Sequence, residues 1–347
     1  MSKKKTTIHD IAKVLKVTAS TVSRALNDNP NISDTTKKLV SDMAIKMNYQ
    51  PNNIAAALRK GKSNTVGVIV PEADRNFFSS VIRGIEEIVN LAGYNVIICQ
   101  SNDLLEKEIA SINSLLKLRV DGILASYAKE VTNFDHYHDV IKKGVPLILF
   151  DRSDESLDVG SVIIDDYLGS YRATEHLIQQ GCTKIVHFAG PQNVSIYRER
   201  KRGYIEALRR NNIDLDENLI ITSRLKFESG QEHALDILKW DTLPDAIFSA
   251  SDFSAIGAMI TLKENDIIIP DQISIVGFSN EPFTSFVDPG LTTVNQHPKK
   301  MGQYAANIFL NQIQNKGTYN LGKTVLTPEL VIRASSVKKV TENVEHL

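Results

Sequence analysis

Two cysteines stand in 347 residues, Cys99 and Cys182, far apart and without a Cys-x-x-Cys spacing. That excludes a disulfide framework and a zinc site of the usual kind, and fits buried free thiols in a reducing compartment. No run of 18 apolar residues occurs, and no apolar segment of signal-peptide length follows Met1-Ser2-Lys3-Lys4-Lys5. Neither a membrane span nor export is therefore expected, and the protein is assigned to the cytoplasm. Gly-x-Gly-x-x-Gly, His-Glu-x-x-His and nucleophile-elbow patterns are also missing, so no enzyme, metal or cofactor is indicated. Gly61-Lys62-Ser63 imitates the end of a phosphate-binding loop, but the earlier glycine of that motif would fall on Ala56. His136 and His138 flank Tyr137 without further ligands nearby, which reads as a solvated helix surface.

What is present is an ordinary globular composition, 42% hydrophobic and 23% charged, in a chain long enough for a small domain plus a two-lobed larger one. The net charge of −1 hides a split. Residues 1–62 hold 12 Lys/Arg against 4 Asp/Glu, giving +8, which leaves 28 against 37, or −9, for the remainder. A basic head on an acidic body is the pattern expected when only the head meets a polyanion.

The head, residues 1–50, reads as three short helices. Ile8, Ile11, Ala12 and Leu15 recur at helical spacing, with Thr7 three residues before Asp10 as a capping pair. A second helix runs from about Ala19 to Leu26, with Thr18 as cap, Val22 and Leu26 facing inward and Asn27 where a left-handed stop is tolerated. A third begins at Ser33 and carries Leu39, Val40, Met43, Ala44 and Met47 on one face. This is a helix-turn-helix unit, whose second helix enters the major groove N-terminus first. Arg24 suits a bidentate contact to guanine, Ser20 a base edge and Ala19 a thymine methyl. Thr7, Thr18, Thr21 and Ser33 are hydroxyls at helix starts, where phosphate is favoured, although Thr7 and Ser33 serve equally well as plain caps.

Thr7-Ile8-x-Asp10-Ile11-Ala12, then Val17-Thr18-x-Ser20-Thr21-Val22-Ser23-Arg24-x-Leu26-Asn27, and finally Tyr49-x-Pro51-Asn52 resemble the signature of the lactose-repressor (LacI/GalR) family. The resemblance adds Ser23, Asn27 and Asn52 to the DNA-contacting set. It also implies that residues 51–63 form a hinge helix, paired with that of a dimer mate in the minor groove. Leu58 falls on the wedge position and Ala55 on the small residue that allows close approach. By itself the segment reads as a short helix with a proline start and a glycine stop, marginal until something else holds it. Ala56 departs from the arginine that many relatives carry there.

From residue 64 to about 340, β-rich apolar runs alternate with amphipathic stretches, twice over. Strands are expected at Val66–Val70, Val96–Gln100, Gly122–Ser126, Leu147–Asp151, Ile185–Ala189, Ala246–Ala250 and Ile273–Gly277. That alternation means α/β architecture with two doubly wound parallel sheets. By resemblance it is a two-lobed periplasmic-binding-protein-like core. The N-lobe would span about 64–164 plus 296–323 and the C-lobe 165–294 plus 325–340, with crossovers near Asp165, Asn295 and Thr324 and a tail at 341–347. Ligands of such folds lie at the carboxyl ends of strands. Asp151, Arg152, Arg200, Ser251, Asp252, Ser279 and Asn280 are candidates on that ground, and Phe77 and Phe78 could pack on a sugar ring. Asp252 reads equally well as a cap or ion-pair partner. Relatives often carry aspartate at position 279, and Asn280 could stand in for it.

The expectation is a homodimeric DNA-binding regulator, a repressor, on a near-palindromic operator. A small effector in the cleft, a sugar or sugar derivative, would control it. A transporter's solute receptor or a carbohydrate-acting enzyme would share the core, but neither accounts for residues 1–63.

Overall fold

The computed structural model describes residues 6–49, 62–315 and 322–338. The chain divides into two units, Met1–Ser63 and Asn64–Leu347. Asn52, Ala55, Ala56 and Leu58, and with them the expected hinge helix, lie outside the described residues, as does the tail.

In the first unit α1 (Ile8–Leu15), α2 (Ala19–Leu26) and α3 (Asp34–Lys46) enclose a small core of Ile11, Ala12, Val22, Ala25, Val40 and Ala44. Each start is chemically marked. The Thr7 N–H and hydroxyl both donate to Asp10 Oδ2, at 2.8 and 2.7 Å. Thr18 Oγ1 accepts the Thr21 N–H, and Ser33 Oγ that of Thr36, which satisfies donors that a helix N-terminus leaves unpaired. Two expectations need correction. Asn27 has φ −99°, and the left-handed residue is Asp28 at φ 51°, because Asn27 instead turns its side-chain amide back onto the Ser23 carbonyl. Leu39 is half exposed and does not belong to the core face; Val40 and Ala44 already fill the space against α1 and α2.

The second unit holds two six-stranded sheets. One comprises β1 (Thr65–Val70), β2 (Asn95–Gln100), β3 (Gly122–Ala125), β4 (Leu147–Phe150), β5 (Gly160–Ile164) and β11 (Lys323–Leu326), in the order β11-β5-β4-β3-β1-β2. The other comprises β6 (Ile185–Ala189), β7 (Ile220–Thr222), β8 (Ala246–Ser249), β9 (Ser274–Ser279), β10 (Thr292–Asn295) and β12 (Glu329–Val331), in the order β12-β10-β9-β8-β6-β7. The first sheet is parallel throughout. The second departs from the expected all-parallel form at its edge, where β12 runs antiparallel to β10. Central strands such as β3, β4, β6 and β8 are wholly buried. Helices covering both faces produce that burial, and it explains why these strands read as continuous apolar runs.

The chain passes between lobes three times. The first passage is at Asp165, whose carboxylate caps the next helix by accepting the Leu168 N–H at 2.8 Å. The second lies between β10 and α11 (Pro298–Gln314), and the third between β11 and β12. This last passage falls at Thr327-Pro328, beyond the expected Thr324, because Thr324 is inside β11 and pairs with Val162.

Candidate functional site

In α2, Ser20 and Arg24 are exposed, and Thr21 and Ser23 are half exposed. Arg24 forms no ion pair among the described residues, so its guanidinium is available to a partner. Thr18 Oγ1 lies 2.8 Å from Ser20 Oγ and 2.9 Å from Thr21 Oγ1, which gathers three hydroxyls at the start of the helix. Ala19 is half-buried against the small core, so its methyl is only partly free for a base. Thr7, at the start of α1, and Ser33, before α3, are exposed caps.

The second unit has a cavity of about 90 Å³ between its lobes, at the carboxyl ends of the strands. A single water needs only about 10–15 Å³, so the space suits a small molecule. Seven of the nine expected residues line it: Phe77, Phe78, Asp151, Arg152, Arg200, Ser251 and Ser279. Both phenylalanines also belong to the N-lobe core and pack edge to face, with centroids 5.0 Å apart.

Asp151 follows β4 in a left-handed conformation, φ 64°, and accepts the Ser126 hydroxyl at 2.9 Å. Burial raises its carboxyl above the usual carboxylate range, with Arg152 pulling the other way. Arg152 Nη1 donates to Asp103 Oδ1 at 2.7 Å and to the Tyr127 carbonyl at 2.6 Å, while its buried Nε–H has no hydrogen-bond acceptor. Asp103 is held down at about 2: burial would raise it, but Arg152 and Lys129 outweigh that.

Arg200 sits within α8 (Ser195–Arg210), in its second turn. Gly203 allows this helix to abut α7 (Asp166–Gln179), since a methyl there would strike the Tyr167 carbonyl and Ser170. Arg200 Nε thus reaches Asp166 Oδ1 at 2.8 Å; Nη1 donates to the Ala250 carbonyl at 2.8 Å and Nη2 to Gln296 Oε1 at 3.2 Å. The guanidinium carbon lies 3.7 Å from the Phe278 ring centroid. Arg200 is thus a joint between elements as well as a cavity wall.

Two expected residues are not in the wall. Asp252 is fully buried and accepts the Glu281 N–H at 2.8 Å and the Thr293 hydroxyl at 2.6 Å. Burial pushes its carboxyl up to about 7. Asn280 turns away, accepting from Arg333 Nη2 at 2.9 Å, and so does not stand in for an aspartate at 279. Ser279, at φ 134°, and Asn280, at φ 54°, together reverse the chain after β9. The carboxylate that reaches the cavity there is Glu281, buried to 4% exposure.

Sequence reasoning also missed Asp103, Lys129, Tyr197, Phe253 and Gln296 in the wall. Each follows a strand at its carboxyl end. Applying that rule to every strand alike would have found most of them; Gln296 was hidden because β10 went unpredicted. His136 is likewise not solvated. Its Nε2 lies 2.8 Å from Oε1 of the buried Glu108, whose other oxygen accepts the Ala128 N–H, fixing the loop that carries Lys129. A second interlobe cavity of about 580 Å³ lies toward β11 and shares Asp151 and Ile196 with the first. Among the described residues no group of His, Cys, Asp and Glu could hold a metal ion. Nor is any helix among them long and apolar enough to cross a membrane.

Comparison with known proteins places both units. The profile "Bacterial regulatory proteins, lacI family" matches residues 7–52, and that of a periplasmic binding protein-like domain matches 174–336. The HTH-type transcriptional regulator DegA of Bacillus subtilis (strain 168) is 32% identical over 339 residues, covering 96% of this chain and 98% of that protein. The lac repressor dimer bound to operator and the anti-inducer ONPF superposes with a TM-score of 0.84 at 26% identity, over 96% of this chain and all of that one. A LacI family transcriptional regulator from Enterococcus faecium with bound ribose gives 0.71 at 26% identity, over 79% of this chain and 99% of that one.

Proposed function

Because this chain belongs to the lacI family of bacterial regulatory proteins, we propose that it is a cytoplasmic, sequence-specific transcriptional repressor controlled by a small carbohydrate bound between its core lobes. The observation that carries this reading is the interlobe cavity walled from both sides, by Phe77 and Arg152 on one lobe and by Arg200 and Ser279 on the other. A ligand that touches both lobes has different affinities for different lobe arrangements. Only such a difference lets it shift an equilibrium.

The ligand is a neutral polyol or simple sugar. Aromatic faces suit its apolar ring surface, and the amide of Gln296 and the unused N–H of Arg152 suit its hydroxyls. The cavity is read as one that binds its ligand, in keeping with the regulators this chain resembles, and Asp103 serves there as the ion-pair partner of both Arg152 and Lys129. On the DNA side Arg24 reads a guanine, Ser20 a second base edge, and Thr7, Thr18, Thr21 and Ser33 position phosphates. The working form is a homodimer on a near-palindromic operator, since a two-fold protein demands a two-fold site.

The test is to select binding sites from random duplex DNA with the full-length protein, and then to repeat gel shifts on the winning site with ribose and other neutral sugars present. A two-fold-symmetric consensus whose binding changes with one sugar is the expected result. Recovery of no consensus overturns the reading.

A further inference from the structure

Arg75 caps α4 (Asn76–Leu91) in the N-lobe, yet its guanidinium lies over a ring of the other lobe, 3.9 Å from the Phe253 centroid. Phe253 is held for this contact. It occupies the second position of α10 (Asp252–Glu264) and packs edge to face on Phe283, with centroids 5.0 Å apart. Arg75 is steered in turn by Glu72, whose Oε2 accepts from Nε at 2.6 Å. All three of Glu72, Arg75 and Phe253 line the cavity.

We propose that Arg75 is a strap across the cleft mouth, whose contact with Phe253 favours the closed arrangement of the two lobes. The contact is short and partly sheltered, the Arg75 side chain being 27% exposed, which is the setting in which a cation over a ring is worth most. A second set of cross-lobe contacts supports the same closed arrangement: Asn193 Nδ2 donates to the Lys129 carbonyl at 2.8 Å, and the Tyr127 and Ser195 hydroxyls lie 3.3 Å apart. These contacts use a side-chain amide, a backbone carbonyl and two hydroxyls, none of them charged. The Arg75–Phe253 contact depends on one charged side chain and is far closer than the other cross-lobe cation over a ring, Lys129 Nζ at 5.9 Å from the Tyr197 centroid. Burial raises the Glu281 carboxyl on the C-lobe above the usual carboxylate range, with the Phe77 N–H and Arg75 pulling the other way, so it adds only a weaker pull of the same sense.

The reading rests on the proposed function only for its regulatory meaning; closure itself is measurable with neither DNA nor sugar in the tube. Spin labels on Lys117→Cys and Glu232→Cys, one per lobe, in full-length protein carrying Cys99→Ser, report the lobe separation by double electron–electron resonance. Diluting the labelled chain with unlabelled chain keeps one labelled copy per dimer. The strapped protein gives one short distance. Arg75→Met, which keeps the stem and loses the charge, moves the ratio of open to closed forms by roughly five-fold, the size expected for a sheltered contact of this kind. Phe253→Leu does the same, the two together do no more than either alone, and Arg75→Lys retains closure. An unchanged distance distribution in Arg75→Met overturns the proposal, and so does an Arg75→Lys protein as open as the methionine variant, because a merely steric role does not distinguish the two.

Discussion

Arg200 shows how a side chain can serve ligand and fold at once. Its three nitrogens are spent on Asp166, Ala250 and Gln296, and the pair with Asp166 is 96% buried on each side. Removing one member of a buried pair leaves the other uncompensated. Arg200→Met should therefore lower the unfolding free energy by about 3–5 kcal/mol in a denaturant titration; a loss confined to ligand binding, with stability intact, would contradict the joint. Asp103 sets an acid limit. Its carboxyl lies at about 2 in the fold against an ordinary 3.8, so its contribution is full above pH 4 and is lost as the pH falls through about 2. That amounts to about 2 kcal/mol. Asp103→Asn should flatten the unfolding free energy over that window, read by urea titrations at stepped pH. Arg24→Ala should cost about 1–3 kcal/mol at one base position of the operator and relax preference there. Unchanged discrimination among operator variants would remove Arg24 from the reading set.

At the scale of elements, what the sequence showed and what it hid have the same cause. Strands buried on both faces, such as Leu147–Phe150 and Ile185–Ala189, announce themselves as apolar runs. Three of the strands missed, β7, β11 and β12, are short edge strands, whereas β5 and β10 were missed although they are buried inside their sheets. Ile220–Thr222 has three residues, and Lys323–Leu326 alternates exposed with half-buried ones. The site suffered likewise: Arg200 and Asp151 stood out by charge beside predicted elements, while Glu281 needed the double left-handed turn at Ser279-Asn280 that no local pattern announces. The α2 caps were legible because Thr18 acts on a residue three positions away. The hinge segment is argued from its sequence: a leucine wedge pays for unstacking only where it fits a bent site. Leu58→Ala should weaken specific operator binding at least ten-fold and leave salt-driven binding to random DNA nearly unchanged, as compared in paired gel-shift titrations. Equal loss on both DNAs would deny the wedge.

On the scale of the whole molecule, a basic reading head and a two-lobed core are two functions on one chain, and their coupling is what makes a regulator. Coupling is reciprocal: whatever a cleft ligand does to DNA affinity, DNA must do to ligand affinity. Typical couplings of about 1–3 kcal/mol correspond to roughly 5–150-fold. The most direct test is to titrate the full-length protein with its selected operator duplex, with and without the sugar that most raises the melting temperature of the protein. A shift of at least five-fold in the dissociation constant is the predicted result. Identical constants in the two titrations, with the sugar bound throughout, would contradict the claim that cleft occupancy governs the grip on DNA.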